Sequence, residues 1–102
     1  MAHWHVYLIE CRDGSLYTGI AVDVARRYAE HAAGKGARYT RMRPPARLLA
    51  SFALPDRASA SRAEYLIKRL DPARKRALCA GTLALADIVA VPAGTAQSSA
   101  EG

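Results

Sequence analysis

Hydrophobic positions along this chain follow two periods, two and 3.6, in alternating blocks. His5 to Cys11 is rich in β-branched, aromatic and aliphatic residues and predicts a strand. Arg12-Asp13-Gly14-Ser15 is a hairpin turn signal, with Gly14 supplying positive φ, and Leu16 to Ile20 predicts the returning strand. Asp23 predicts an N-cap for a helix from Val24 to about Ala33, closed by Gly34. After the basic link Gly34-Lys35-Gly36, Ala37 to Met42 reads as one or two helical turns stopped by Pro44-Pro45. Arg47 to Leu54 predicts a third strand. Ser59 to Leu70 is the strongest helix, with Ala60, Ala63, Ile67 and Leu70 at helical spacing and Leu66 widening the same face. Asp71-Pro72 starts another helix, cap then first position, ending near Gly81. Thr82 to Val91 is ambiguous. From Pro92 onward Ala, Gly, Ser and Gln dominate, which predicts a disordered tail.

The resulting order, β-β-α-(α)-β-α-α, predicts an α+β (α/β-type) fold: a small mixed sheet of about three strands with helices on its flanks. Residues 1–80 are expected to form one domain, 81–91 a C-terminal extension of unassigned structure, and 92–102 the tail. A chain of 102 residues suffices for one domain, burying roughly 60–70% of its unfolded surface.

Charge narrows the partner. Fifteen Lys+Arg against nine Asp+Glu give +6, and most of the cations are Arg, whose planar fork suits phosphate. A polyanion is the expected partner. Cys11 and Cys79 are too few and too far apart for a disulfide framework or a structural zinc. The start, Met1-Ala2-His3-Trp4-His5, lacks the pattern of a signal peptide, and no apolar stretch approaches about 18 residues. A cytoplasmic location is expected.

The first helix orders its chemistry by rows. Ile20, Val24 and Tyr28 form an apolar i,i+4 row expected to face the core, and Asp23, Arg27 and His31 form the adjacent row at its edge. Each polar member also has a structural reading: Asp23 as a cap, Arg27 as a solvated cation, His31 as a charge complementing the helix dipole. Glu64 lies four residues before Lys68, which suits a surface ion pair. It also falls at the rim of the apolar stripe, where a metal ligand would be placed. Tyr39 and Tyr65 read as packing or surface residues.

The pattern resembles the GIY-YIG nuclease family, in particular its small stand-alone, single-domain bacterial branch. The first signature appears as Val6-Tyr7-Leu8 and the second as Tyr17-Thr18-Gly19. The match continues through Asp23 to His31, Gly34 to Arg38, and Ser61 to Lys68, covering roughly residues 4–78. The first signature lacks its glycine, and Ile20 stands where excinuclease relatives carry lysine. The resemblance implies a divalent-metal-dependent endonuclease, with Tyr7 and Tyr17 as the paired tyrosines, Arg27 as the catalytic arginine, His31 as the helical histidine and Glu64 as the metal ligand. One Mg²⁺ or Mn²⁺ ion is the expected cofactor. Nucleic acid is the expected partner, DNA ahead of RNA, in structured or damaged form as in repair or recombination. The alternative is a nucleic-acid-binding adaptor with the same fold and little turnover.

In the expected chemistry Tyr17 is the base, hydrogen-bonded to His31, and Tyr7 positions water or phosphate. Arg27 contacts the scissile phosphate and Glu64 holds the metal. Lys35, Arg38, Arg41 and Arg43 form a basic approach, with Lys68 beside Glu64. A shared site requires both tyrosines on one face of the hairpin. That requires an odd loop, such as Asp13-Gly14-Ser15 pairing Arg12 with Leu16, or a bulge.

Overall fold

The computed structural model describes residues 3–89. The elements are β1 (Trp4–Cys11), β2 (Leu16–Ala21), α1 (Val24–Ala32), α2 (Arg38–Met42), β3 (Pro45–Leu54), α3 (Arg57–Lys68), α4 (Pro72–Ala80) and α5 (Leu85–Val89). The three strands form one sheet in the order β2-β1-β3, and both pairings are antiparallel. The fold is α+β. The expected tail, 92–102, lies outside the described residues, as do positions 90 and 91. Among the described residues no helix is long and apolar enough to cross a membrane.

β1 is the central strand and is buried on both faces, which is why its sequence reads as an almost unbroken apolar run. Alternation sorts its side chains into two cores. Val6 and Leu8 join Ala63 and Ile67 of α3 and Leu78 of α4, with Leu83, Leu85, Ile88 and Val89 packed against them. The ambiguous segment after Gly81 therefore forms α5 over this core. On the other face Tyr7, Ile9 and Cys11 pack with Ala21, Val24, Tyr28 and Tyr39, beneath α1 and α2.

Three aspartates start three helices. Asp23, Asp56 and Asp71 each accept a hydrogen bond from the backbone N–H three residues on, at 3.1, 2.8 and 2.8 Å. Asp56 moves the start of α3 two residues ahead of the expected Ser59, and α3 ends at Lys68 rather than Leu70. Pro72 occupies the first turn of α4, and Gly81 closes it at φ +86°.

The apolar row through Ile20, Val24 and Tyr28 is not helical. Ile20 belongs to β2 and packs with the Val6–Leu8 core, whereas Val24 and Tyr28 pack with the Tyr7 core on the opposite face. A strand-to-helix junction lies between Ile20 and Val24, so the i,i+4 spacing across it has no geometric meaning.

The hairpin has an odd loop. Cys11 N–H donates to Ser15 O at 2.8 Å and Gly14 N–H to Cys11 O at 2.9 Å, so the loop is Arg12-Asp13-Gly14, one residue earlier than the spacing suggested. Gly14 takes the left-handed position at φ +86° that a three-residue hairpin requires. The register then sets Tyr7 opposite Gly19 and Ile9 opposite Tyr17. Both tyrosines face α1. The register irregularities lie instead between β1 and β3, at Leu8/Ile9 and Glu10/Cys11.

Candidate active site

Tyr7 comes from the central strand and its phenol lies across Gly19 of the neighbouring strand. A Cβ at Gly19 would stand 2.6 Å from the phenol oxygen, so only glycine leaves room for the ring. Tyr7 and Tyr17 rings lie 6.4 Å apart, and Tyr17 meets the His31 ring edge-on at 5.1 Å. Tyr17 also stacks against Tyr39 of α2 at 5.7 Å, and the Arg43 guanidinium covers Tyr39 at 4.8 Å.

His31 ends α1 fully buried, not as an exposed charge on the helix dipole. Its Nε2 lies 2.9 Å from the Tyr7 oxygen and its Nδ1 lies 2.6 Å from Thr40 Oγ1. The expected partner of His31 was Tyr17. Register decides otherwise, because Tyr7, on the central strand, points its phenol at the imidazole, while Tyr17, on the outer strand, meets the ring only edge-on. Gly36 completes the cradle, since a Cβ there would overlap the imidazole.

Arg27 is half-exposed and its Nη1 donates to Glu30 Oε1 at 2.8 Å. This partner holds the guanidinium in place one helical turn before His31. Burial, the neighbouring Tyr17 and Glu64 push the Tyr7 phenol up to about 12, against a lowering by the Arg27 guanidinium. Burial also raises Tyr17, with Glu64 acting in the same direction and Lys68 and Arg27 opposing. Burial, aided by Arg27, lowers the basicity of His31 and keeps it neutral, while Glu30 opposes. Glu64, 24% exposed, is paired with Lys68 at 3.2 Å.

Tyr7, Tyr17, Arg27 and His31 are thus gathered on one face of the sheet. Glu64 lies on α3, which packs on the Val6–Leu8 face, and its charge reaches both phenols only as the weakest of the influences that shift them. Of the basic residues, Lys68 joins through Glu64 and Arg43 through Tyr39; Arg43 also pairs with Asp13 at 3.3 Å. Lys35, Arg38 and Arg41 are exposed and make no ion pair among the described residues. Sequence reasoning missed Glu30, Gly36 and Thr40 and left Tyr39 to packing. Only Glu30 carried a signal, its i,i+3 spacing from Arg27.

Among the described residues no three His, Cys, Asp or Glu side chains cluster to hold a metal. One half-buried carboxylate, Glu64, fits a hard cation that keeps most of its waters and takes its remaining oxygens from substrate. A cavity of about 590 Å³ between α3, α4 and α5, lined by Leu66, Arg74 and Ile88 among others, includes none of these residues.

Residues 3–77 match the family model described as the GIY-YIG catalytic domain. A UPF0213 protein of Cupriavidus pinatubonensis is 54% identical over 77 residues, covering 76% of this chain and 86% of that one. A UPF0213 protein of Xanthomonas axonopodis pv. citri is 60% identical over 74 residues, covering 72% of each. The solution NMR structure of a UPF0213 protein from Bacillus halodurans is 50% identical, with a TM-score of 0.49, covering 78% of this chain and 84% of that one.

Proposed function

The chain belongs to the GIY-YIG catalytic-domain family, and from that premise we propose that it is a divalent-metal-dependent endonuclease hydrolysing phosphodiester bonds in DNA. The observation that carries this reading is the buried hydrogen bond between Tyr7 and His31, on the face of the sheet that also carries Tyr17 and the helix bearing Arg27. Structured or damaged DNA, as met in repair or recombination, is the proposed substrate, and the cytoplasm the proposed location.

Tyr7 is the general base in this mechanism. A phenol with a pKa of about 12 stands roughly 7 kcal/mol from ionisation at pH 7. The resting phenol therefore keeps its proton, which moves as the proposed reaction proceeds. Tyr7 takes a proton from a water brought against its phenol with the substrate, while its own passes to the His31 Nε2 lone pair that it faces. Arg27, anchored by Glu30, offers its fork to the phosphoryl oxygens as negative charge grows there. Tyr17, backed by Tyr39, holds the phosphate or the water. Glu64 would hold Mg²⁺ or Mn²⁺, which when bound supplies positive charge to the reacting phosphate and helps the leaving oxygen depart. Lys35, Arg38, Arg41, Arg43 and Lys68 contact the backbone of the nucleic acid.

One observation favours a second reading, a nucleic-acid-binding adaptor with little turnover: Lys68 already engages Glu64. The two separate in one assay. Labelled single-stranded, duplex, flap and four-way DNA, and RNA, are incubated at low salt with Mg²⁺, Mn²⁺ or EDTA, using the wild type, Tyr7→Phe and Glu64→Ala. Metal-dependent cutting lost in both variants supports the enzyme and names its substrate. Binding without cutting, unchanged by either substitution, supports the adaptor.

A further inference from the structure

We propose that Thr40 is a positioning residue of this site: its hydroxyl fixes His31 as the Nδ1–H tautomer, leaving the Nε2 lone pair aimed at the Tyr7 phenol. The inference rests on the nuclease reading for its catalytic consequence, while the tautomer assignment rests on Thr40 directing its proton to the Ala37 carbonyl.

Thr40 is 1% exposed, in the first turn of a helix that begins at Arg38. A threonine hydroxyl has one proton to give. Thr40 gives it to the carbonyl of Ala37, 2.9 Å away. With its proton so directed, the Thr40 oxygen accepts from His31 Nδ1, at 2.6 Å, which assigns the imidazole proton to Nδ1. A neutral imidazole protonated there is bare at Nε2. Nε2 faces the Tyr7 oxygen at 2.9 Å, so Tyr7 must be the donor. The chain of donors therefore runs one way, from Tyr7 through His31 and Thr40 to Ala37.

The opposite tautomer would reverse that sense. An Nε2–H would donate to Tyr7, and the phenol proton would have no receiver. Thr40 differs from an orienting carboxylate in carrying no charge, so it sets the tautomer without raising the basicity of His31. The groups that face the imidazole are Tyr7 from β1, Tyr17 from β2, Arg27 and Glu30 from α1, and Thr40 from α2. Arg27 and Glu30 act on its charge in opposite directions. Gly36, with no side chain, lets the ring lie flush against the turn that carries Thr40.

The test uses the full chain as wild type, Thr40→Val and Thr40→Ser. Nitrogen-15 NMR of the His31 ring distinguishes a protonated Nδ1 from a protonated Nε2 without any substrate. We expect Nδ1–H in the wild type and in Thr40→Ser, and appearance of Nε2–H in Thr40→Val. With the substrate found by the cleavage panel, Thr40→Val is expected to lower kcat on the order of 10²-fold with KM unchanged, and Thr40→Ser to restore it. A wild-type ring protonated at Nε2 overturns the proposal, even if Thr40→Val fails to fold. So does a folded Thr40→Val that keeps Nδ1–H with wild-type kcat. A wild type that shows Nδ1–H yet cuts none of the substrates overturns the nuclease reading and with it the catalytic part of this role, while leaving the tautomer assignment supported.

Discussion

The phenol of Tyr7 and the imidazole of His31, 24 residues apart in the chain, meet at 2.9 Å in a hydrogen bond between two buried side chains. Each is a polar group inside a packed core, and each is tolerable there because the other satisfies it. The bond therefore contributes to the fold as well as to the proposed chemistry, and this double role separates the two tyrosines experimentally.

Tyr7→Phe leaves His31 Nε2 buried without a partner and is expected to cost about 1–3 kcal/mol of stability. On the proposed mechanism it also reduces cleavage about 10²–10⁴-fold. Tyr17→Phe removes no hydrogen bond to His31 and is expected to change stability less. Urea unfolding of both variants checks the order. A Tyr17→Phe protein less stable than Tyr7→Phe would refute the pairing.

Gly19→Ala probes the same bond from the neighbouring strand. Strand backbone accepts alanine readily, but the new Cβ would sit 2.6 Å from the Tyr7 oxygen and 2.7 Å from Cζ. Relief requires the ring to move away from His31. The expected outcome is a loss of about 1–3 kcal/mol together with impaired cleavage. Full activity at wild-type stability would mean that the ring is free to shift, contrary to its packing.

Stability is expected to fall as pH drops through the histidine range. Burial lowers the folded-state pKa of His31 below its ordinary value of 6.5. The unfolded chain thus binds the proton more readily than the folded one, and acid favours unfolding. The contribution is complete above the unfolded value of about 6.5, and it declines as pH falls from there towards the lower folded-state pKa. Unfolding midpoints between pH 7.5 and 5, compared with those of His31→Gln, isolate it. An equal slope in the variant would assign the dependence to other groups.

The opposite core is a control. Ile67 is fully buried between the sheet and α4, and Ile67→Ala is expected to cost about 2–5 kcal/mol. Residual folded protein should keep the metal dependence of cleavage, because Ile67 touches none of the proposed reacting groups. A variant of near-wild-type stability would show that the α3 face is looser than its burial indicates.

Much of the fold was written locally. The caps at Asp23 and Asp71, with Pro72 and Gly81, bracket helices by hydrogen bonds and dihedral preferences that act within a few residues, and these are visible in the sequence. The errors fell where local spacing was read across a junction, as with Ile20, or where Asp56 supplied a cap ahead of the hydrophobic pattern. The odd hairpin loop followed from requiring both tyrosines on one face, but its placement depended on Gly14 taking the left-handed position of the Arg12-Asp13-Gly14 loop.

The sequence by itself determined which residue types were present for phosphodiester chemistry and which faces of each element were apolar. Tertiary structure alone decided who meets whom. His31 pairs with Tyr7 and not Tyr17 because a hairpin register of one particular value points the central strand's phenol at the end of α1. Thr40 and Gly36 enter the site because the link after α1 folds back over the imidazole. Neither fact has a periodicity to betray it. Contacts between elements depend on register and on the path of loops, and these are settled by packing the whole chain at once.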